Sequence, residues 1–170
     1  MGDRRQFGDF IKCNLDLYKY RNGVELSPFA AATFARNELA GLLRSDPHNV
    51  NILVGGYTKE EGAQLYWMDE LASLGRVNNA AHGYGKFLSD YVCNFVTPSA
   101  GGLLVTGILD KFYKPDLTQE DALDILVKCS EELKTRFLLS QYILNVKIVD
   151  QQGFKNIRIE NGVATPVMKE

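Results

Sequence analysis

Between residues 17 and 28 the chain reads Leu17-Tyr18-Lys19-Tyr20-Arg21-Asn22-Gly23-Val24-Glu25-Leu26-Ser27-Pro28, a helix end, a short link and a helix start in close succession. Asn22-Gly23 supplies the left-handed backbone that closes a helix at its C-terminus. Ser27-Pro28 supplies an N-cap hydroxyl, followed by a residue whose missing N–H costs nothing at the first helical position. A chain written this way lays two helices side by side across a tight turn.

The flanking periodicities agree. In residues 3–20, Phe7, Phe10, Ile11, Leu17 and Tyr18 recur at helical spacing opposite Arg5, Asp9, Lys12, Asp16 and Lys19, which predicts an amphipathic helix. Residues 28–44 predict a second helix, in which Phe29, Phe34, Leu42 and Leu43 mix with alanines small enough to let a neighbouring helix approach closely. The period then changes to two. In residues 49–57, Val50, Ile52 and Val54 face one way and Leu53 the other beside Gly55 and Gly56, predicting a strand buried on both sides. Lys59-Glu60-Glu61-Gly62 is a hairpin loop with a glycine for positive φ; residues 64–68 return as a second strand and residues 72–78 supply a third. Residues 143–149 and 154–159 form another hairpin across Asp150-Gln151-Gln152-Gly153. Between the two sets of strands, residues 118–138 predict a long helix capped by Thr118, with Ala122, Ile125, Leu126, Cys129, Leu133 and Phe137 on one face. Helices in pairs and strands in hairpins define an α+β class with antiparallel sheets.

A chain of 170 residues that is 45% hydrophobic can bury a core and is most economically one domain. Its 19 basic and 21 acidic residues, spread without long runs, offer no electrostatic reason to expect nucleic acid or an anionic membrane as partner. The longest weakly polar stretch, residues 100–109, is half of the roughly 20 residues a spanning helix needs, and the first residues lack a basic-then-apolar signal pattern. Cys13, Cys93 and Cys129 are odd in number and include no C-x-x-C pair, so neither a disulfide framework nor a zinc site is indicated. Reduced thiols fit a soluble protein of cytoplasm and nucleus.

The wording of residues 17–28 resembles that of the type 2 group of β subunits of the eukaryotic proteasome 20S core. The likeness continues through Asn51-Ile52-Leu53-Val54-Gly55-Gly56-Tyr57, Leu65-Tyr66-Trp67-Met68-Asp69 and Ala80-Ala81-His82-Gly83-Tyr84-Gly85. It resumes at Ile108-Leu109-Asp110-Lys111-Phe112-Tyr113 and runs through Lys128-Cys129-Ser130-Glu131-Glu132-Leu133 to the hairpin ending near Asn156. The resemblance implies a proteasome-type fold, related to N-terminal nucleophile hydrolases: a four-layer α-β-β-α sandwich over a single domain, residues 1–170, with residues 160–170 as a C-terminal tail.

Two departures from the family pattern stand out. Family members carry several strands ahead of the first helix, whereas here Met1-Gly2-Asp3 opens at the helix itself, so the expectation is an incomplete sandwich with unpaired strand edges. Such a chain, isolated, is expected to aggregate or stay partly unfolded. The family also passes from the equivalent of Lys86-Phe87-Leu88 almost directly to that of Thr106-Gly107-Ile108-Leu109 within one helix, whereas residues 89–105 intervene here. Pro98, with Gly101 and Gly102 behind it, cannot continue a helix without a break. The insertion is either translated intron sequence or a lineage-specific surface loop.

Proteasome-type peptidases use an N-terminal threonine whose own amine acts as base. This chain opens with Met1-Gly2, so no catalytic residue is transferred to any position, and the type 2 group implies a non-catalytic ring component. Other chemistry-bearing residues have structural readings. His82, at a strand-to-helix junction, has no visible metal partner, since His48 is remote and flanked by Pro47. Gly83 and Gly85 fit a tight turn better than a phosphate-binding loop. Most of Asp121, Asp124, Ser130, Glu131 and Glu132 fall on a solvated helix face, and Cys129 lies on an apolar stripe as a small buried hydrophobe. Tyr57, Phe112 and Tyr113 suit either an interface or the core.

The expected role is therefore a structural β subunit of the 20S core, built into rings with other α and β subunits for ubiquitin-dependent protein degradation, without cofactor or metal. A catalytic threonine-protease subunit whose nucleophile segment is missing, or an orphan product that does not assemble, are the competing readings.

Overall fold

The computed structural model describes residues 2–80, 102–136, 143–160 and 163–166. The chain divides into two compact units, Met1–Val77 and Asn78–Glu170.

In the first unit, helix α1 spans Gly2–Asn22 and helix α2 spans Pro28–Leu42, joined by the turn that residues 17–28 predict. Gly23 sits at φ +70°, its N–H reaching the Lys19 carbonyl at 2.8 Å. Ser27 caps α2 by accepting the Ala30 N–H at 3.2 Å, with Pro28 in the first turn. Strands β1 (Ile52–Thr58), β2 (Gly62–Met68) and β3 (Leu74–Arg76) follow as an antiparallel sheet in the order β1-β2-β3. Ile52 pairs with Met68 and Thr58 with Gly62, closing a hairpin in which Gly62 takes φ +70° and Thr58 Oγ1 accepts the Glu61 N–H.

Helix α2 lies on this sheet and touches all three strands. It buries its small residues, Ala31, Ala32 and Ala35, together with Leu39. Phe7 from α1, Ala35, Leu39, Val50, Met68 and Ala72 form the core of the unit, and Ile11, Ile52 and Leu74 pack around them. The alanines serve close approach of helix to sheet rather than of helix to helix. Phe29, expected among the apolar residues of α2, is 57% exposed even though its ring stands 5.8 Å from that of Tyr66 on β2. Phe10, Leu17 and Tyr18 are likewise exposed, leaving Phe7 as the anchor of α1. Strand β1 is partly exposed at every position instead of buried on both sides; fully buried Val50 precedes it. The third strand is shorter than residues 72–78 suggest, because the Asp69 carboxylate accepts the N–H groups of Leu71 and Ser73 at 3.0 and 2.8 Å and holds residues 69–73 in a turn.

In the second unit, α3 (Gly102–Phe112) and α4 (Gln119–Arg136) pack together, followed by β4 (Ile143–Asp150), β5 (Gly153–Glu160) and β6 (Val163–Pro166). These strands form an antiparallel sheet in the order β4-β5-β6. Gly153, at φ +107°, turns the predicted hairpin, and Asp150 accepts both the Gln152 N–H at 2.7 Å and the Lys155 ammonium at 2.6 Å. Val105 and Leu109 of α3, Ile125, Leu126 and Cys129 of α4, and Ile159 of β5 make the core. Phe137, predicted on the same face, lies outside the described residues, as does the Leu133 side chain.

The last residues of the 89–105 segment, from Gly102 onward, are the first turn of α3, and Val105 is fully buried. Residues 89–101 lie outside the described residues. Within residues 160–170, the expected tail, β6 pairs with β5 from Glu160↔Val163 to Ile157↔Pro166. Paired helices and antiparallel hairpins make the fold α+β.

Candidate functional site

Asp121 and Cys129, the chemistry-bearing residues of α4 that stand out in the structure, serve a cap and the core. Asp121 stands at the third position of α4 and closes a reciprocal cap: Thr118 Oγ1 accepts the Asp121 N–H at 3.2 Å and donates its hydroxyl to Asp121 Oδ2 at 2.7 Å. That hydroxyl bond holds the carboxyl below the usual carboxylate range, so Asp121 is an ionised cap and not a proton donor at neutral pH. Asp124 and Glu131 are exposed on α4, while Ser130 and Glu132 are half-buried. Cys129 is 1% exposed, and burial pushes its thiol up to about 11, which keeps it protonated and non-nucleophilic at neutral pH. His48 bonds the Asp46 carbonyl through Nδ1 at 2.8 Å and stands edge-on to Phe7, an ordinary packing role. His82, Gly83 and Gly85 lie outside the described residues.

Among the described residues no three His, Cys, Asp or Glu side chains gather where they could hold a metal ion. No described helix is long and apolar enough to cross a membrane.

Sequence patterning gave little sign of the polar pair beneath α2. Gln64 is 3% exposed and accepts the Tyr66 hydroxyl at 2.7 Å while donating to Thr58 Oγ1 at 3.2 Å. Residues two apart on a strand share a face, so this network satisfies both polar groups where they are desolvated. The alternation Gln64, Tyr66, Met68 was its only sequence signal.

The surface is more informative. Leu17, Tyr18, Tyr20 and Val24 are exposed around the α1–α2 turn, with Tyr20 at 86%. Beside them Leu15, Leu26 and Phe34 line a groove of about 260 Å³. Leu71 projects from the Asp69 turn at 70% exposure. In the second unit Phe112 is exposed and carries two ammonium groups over its ring, Lys128 at 4.7 Å and Lys111 at 5.3 Å, whereas Tyr57 and Tyr113 are half-buried. The cluster of Leu17, Tyr18, Tyr20 and Val24 at one turn is the kind of apolar surface that meets other proteins.

Comparison with known proteins gives these features a context. A family model described as "Proteasome subunit" matches residues 1–149. The chain is 39% identical to proteasome subunit beta type-2-B of Arabidopsis thaliana over 89% of its own length and 68% of that protein. Identity to proteasome subunit beta type-2 of Oryza sativa subsp. japonica is also 39%, over 89% of the chain and 64% of the relative. A probable proteasome subunit beta type-4 of Neurospora crassa is 40% identical over 94% of the chain and 72% of its own length. The chain thus spans about two thirds of the length of these curated relatives. Matched by the family model over most of its length, and by β-type relatives at this level of identity, the chain belongs to the family of proteasome β subunits.

Proposed function

We propose that this chain acts as a non-catalytic β subunit of the 20S proteasome core, completing a ring with other α and β subunits in cytoplasm and nucleus. The observation that carries the reading is the 39% identity to subunits named beta type-2 over 89% of the chain. The surface supports it, since the exposed Leu17, Tyr18, Tyr20, Val24 and Phe112 are the side chains an assembling subunit covers on docking.

Affinity purification of the tagged full chain from its source cells tests the assignment. Co-purification of the other α and β subunits, in a particle that cleaves fluorogenic peptides, is the expected result. Recovery of the chain alone overturns the ring role, and peptide hydrolysis by the isolated chain overturns the non-catalytic one. Imaging of the tag in only one compartment removes the dual location.

A further inference from the structure

We propose that Asn22 is a site of spontaneous conversion to aspartate and isoaspartate, with a rate governed by unwinding of the last turn of α1. An asparagine followed by glycine is the pairing most open to this chemistry, because no Cβ on the second residue hinders attack. The backbone nitrogen of Gly23 attacks Cγ of Asn22, the new C–N bond closes a succinimide, and the Cγ–Nδ2 bond breaks to release ammonia. Water then opens the ring at either carbonyl, leaving aspartate or isoaspartate.

Both reacting groups are held away from that reaction. The Gly23 N–H is donated to the Lys19 carbonyl at 2.8 Å, so the attacking nitrogen retains its proton and points along the helix. Asn22 Nδ2–H is donated to the Tyr18 carbonyl at 2.9 Å, which turns the side-chain amide back over α1. Asn22 also keeps helical backbone geometry, and the succinimide ring demands that it leave it. An ion pair from Lys19 to Glu25 straps the two sides of the turn together. The site is nevertheless exposed, so water is present as soon as the turn opens. Helix ends are where local opening is least costly.

The modification also loosens the turn that had restrained it. Aspartate at position 22 loses the donor that satisfied the Tyr18 carbonyl and puts a negative charge at the negative end of the helix dipole. Isoaspartate adds a backbone carbon that the closing turn cannot accommodate.

The test incubates the full chain at mildly alkaline pH, natively and in urea, and follows conversion at Asn22 by peptide mass spectrometry. Conversion in the native chain is expected to be at least about tenfold slower than in urea, equivalent to an opening cost of about 1.4 kcal/mol. Lys19→Gly, which keeps the accepting carbonyl but weakens the last turn, is expected to recover most of the lost rate. Equal rates in native and unfolded chain overturn the proposal, as does Lys19→Gly without effect. Hydrogen exchange supplies an independent readout: the converted chain should exchange faster at the Gly23 amide, and unchanged exchange there overturns the loosening of the turn.

Discussion

Gly56 of β1 lies directly beneath Pro28 of α2: a Cβ built on Gly56 falls 2.4 Å from Pro28 Cγ and 3.0 Å from Pro28 Cβ. The residue that starts the helix and the glycine that lets it reach the sheet are therefore one contact. Gly56→Ala should destabilise the chain by about 1–3 kcal/mol through overpacking against a rigid ring. Equilibrium urea unfolding measures the loss, and Pro28→Ala in the same chain should restore part of it. Additive effects of the two substitutions would show that the contact does not carry the cost.

At the start of α4, Thr118 and Asp121 satisfy each other's backbone N–H groups. Thr118→Ala should cost about 1 kcal/mol, the usual loss for an N-cap. It should also let the Asp121 carboxyl rise toward its ordinary value, since the Thr118 hydroxyl is the main cause of its depression. The sign follows: the cap's ionic contribution is present above the unfolded carboxylate pKa and is lost as pH falls through the depressed folded value. Carboxyl NMR titration of the two proteins checks the direction.

Cys13 is exposed and Cys129 buried. Iodoacetamide at neutral pH should modify Cys13 and leave Cys129 unmodified until the chain is unfolded, as peptide mapping would reveal. Burial raises the Cys129 thiol from 9.0 to about 11, so its share of stability is whole below 9.0 and fades as pH climbs toward 11. The stability difference between wild type and Cys129→Ala should shrink over that window.

Asp69 secures the β2–β3 turn, in which Ala72 is held at φ +59° and its carbonyl accepts a bond from Arg36 Nε at 3.3 Å. Asp69→Ala should cost about 1 kcal/mol, and Ala72→Val more, because a β-branched side chain resists the left-handed region. Thermal unfolding of both variants distinguishes the order.

Legibility followed the range of the interaction. The α1–α2 turn, the Ser27 and Thr118 caps and the glycines at 62 and 153 were read in place, because each acts within a few residues of its own position. The family was legible in the wording of the chain. The exposure of Leu17 and Tyr18 was not, because a helical period identifies a stripe without saying which part of it finds a partner. Gln64 was overlooked for the complementary reason: its burial is permitted only by Tyr66 and Thr58 standing within reach.

What the amino-acid order determined by itself was the caps and turns that start helices α2 and α4 and close the two hairpins, the α+β class and the kinship with proteasome β subunits, while the ends of β3 and the existence of β6 were not among them. Capping, turn geometry and propensity are local energies that a short window contains in full. Tertiary structure alone decided that α2 meets its sheet through alanines, that Gly56 makes room for Pro28, and that Phe7 anchors α1 while Phe10 stays in water. Burial is a property of pairs brought together across many residues, and close packing admits only the shapes that fit.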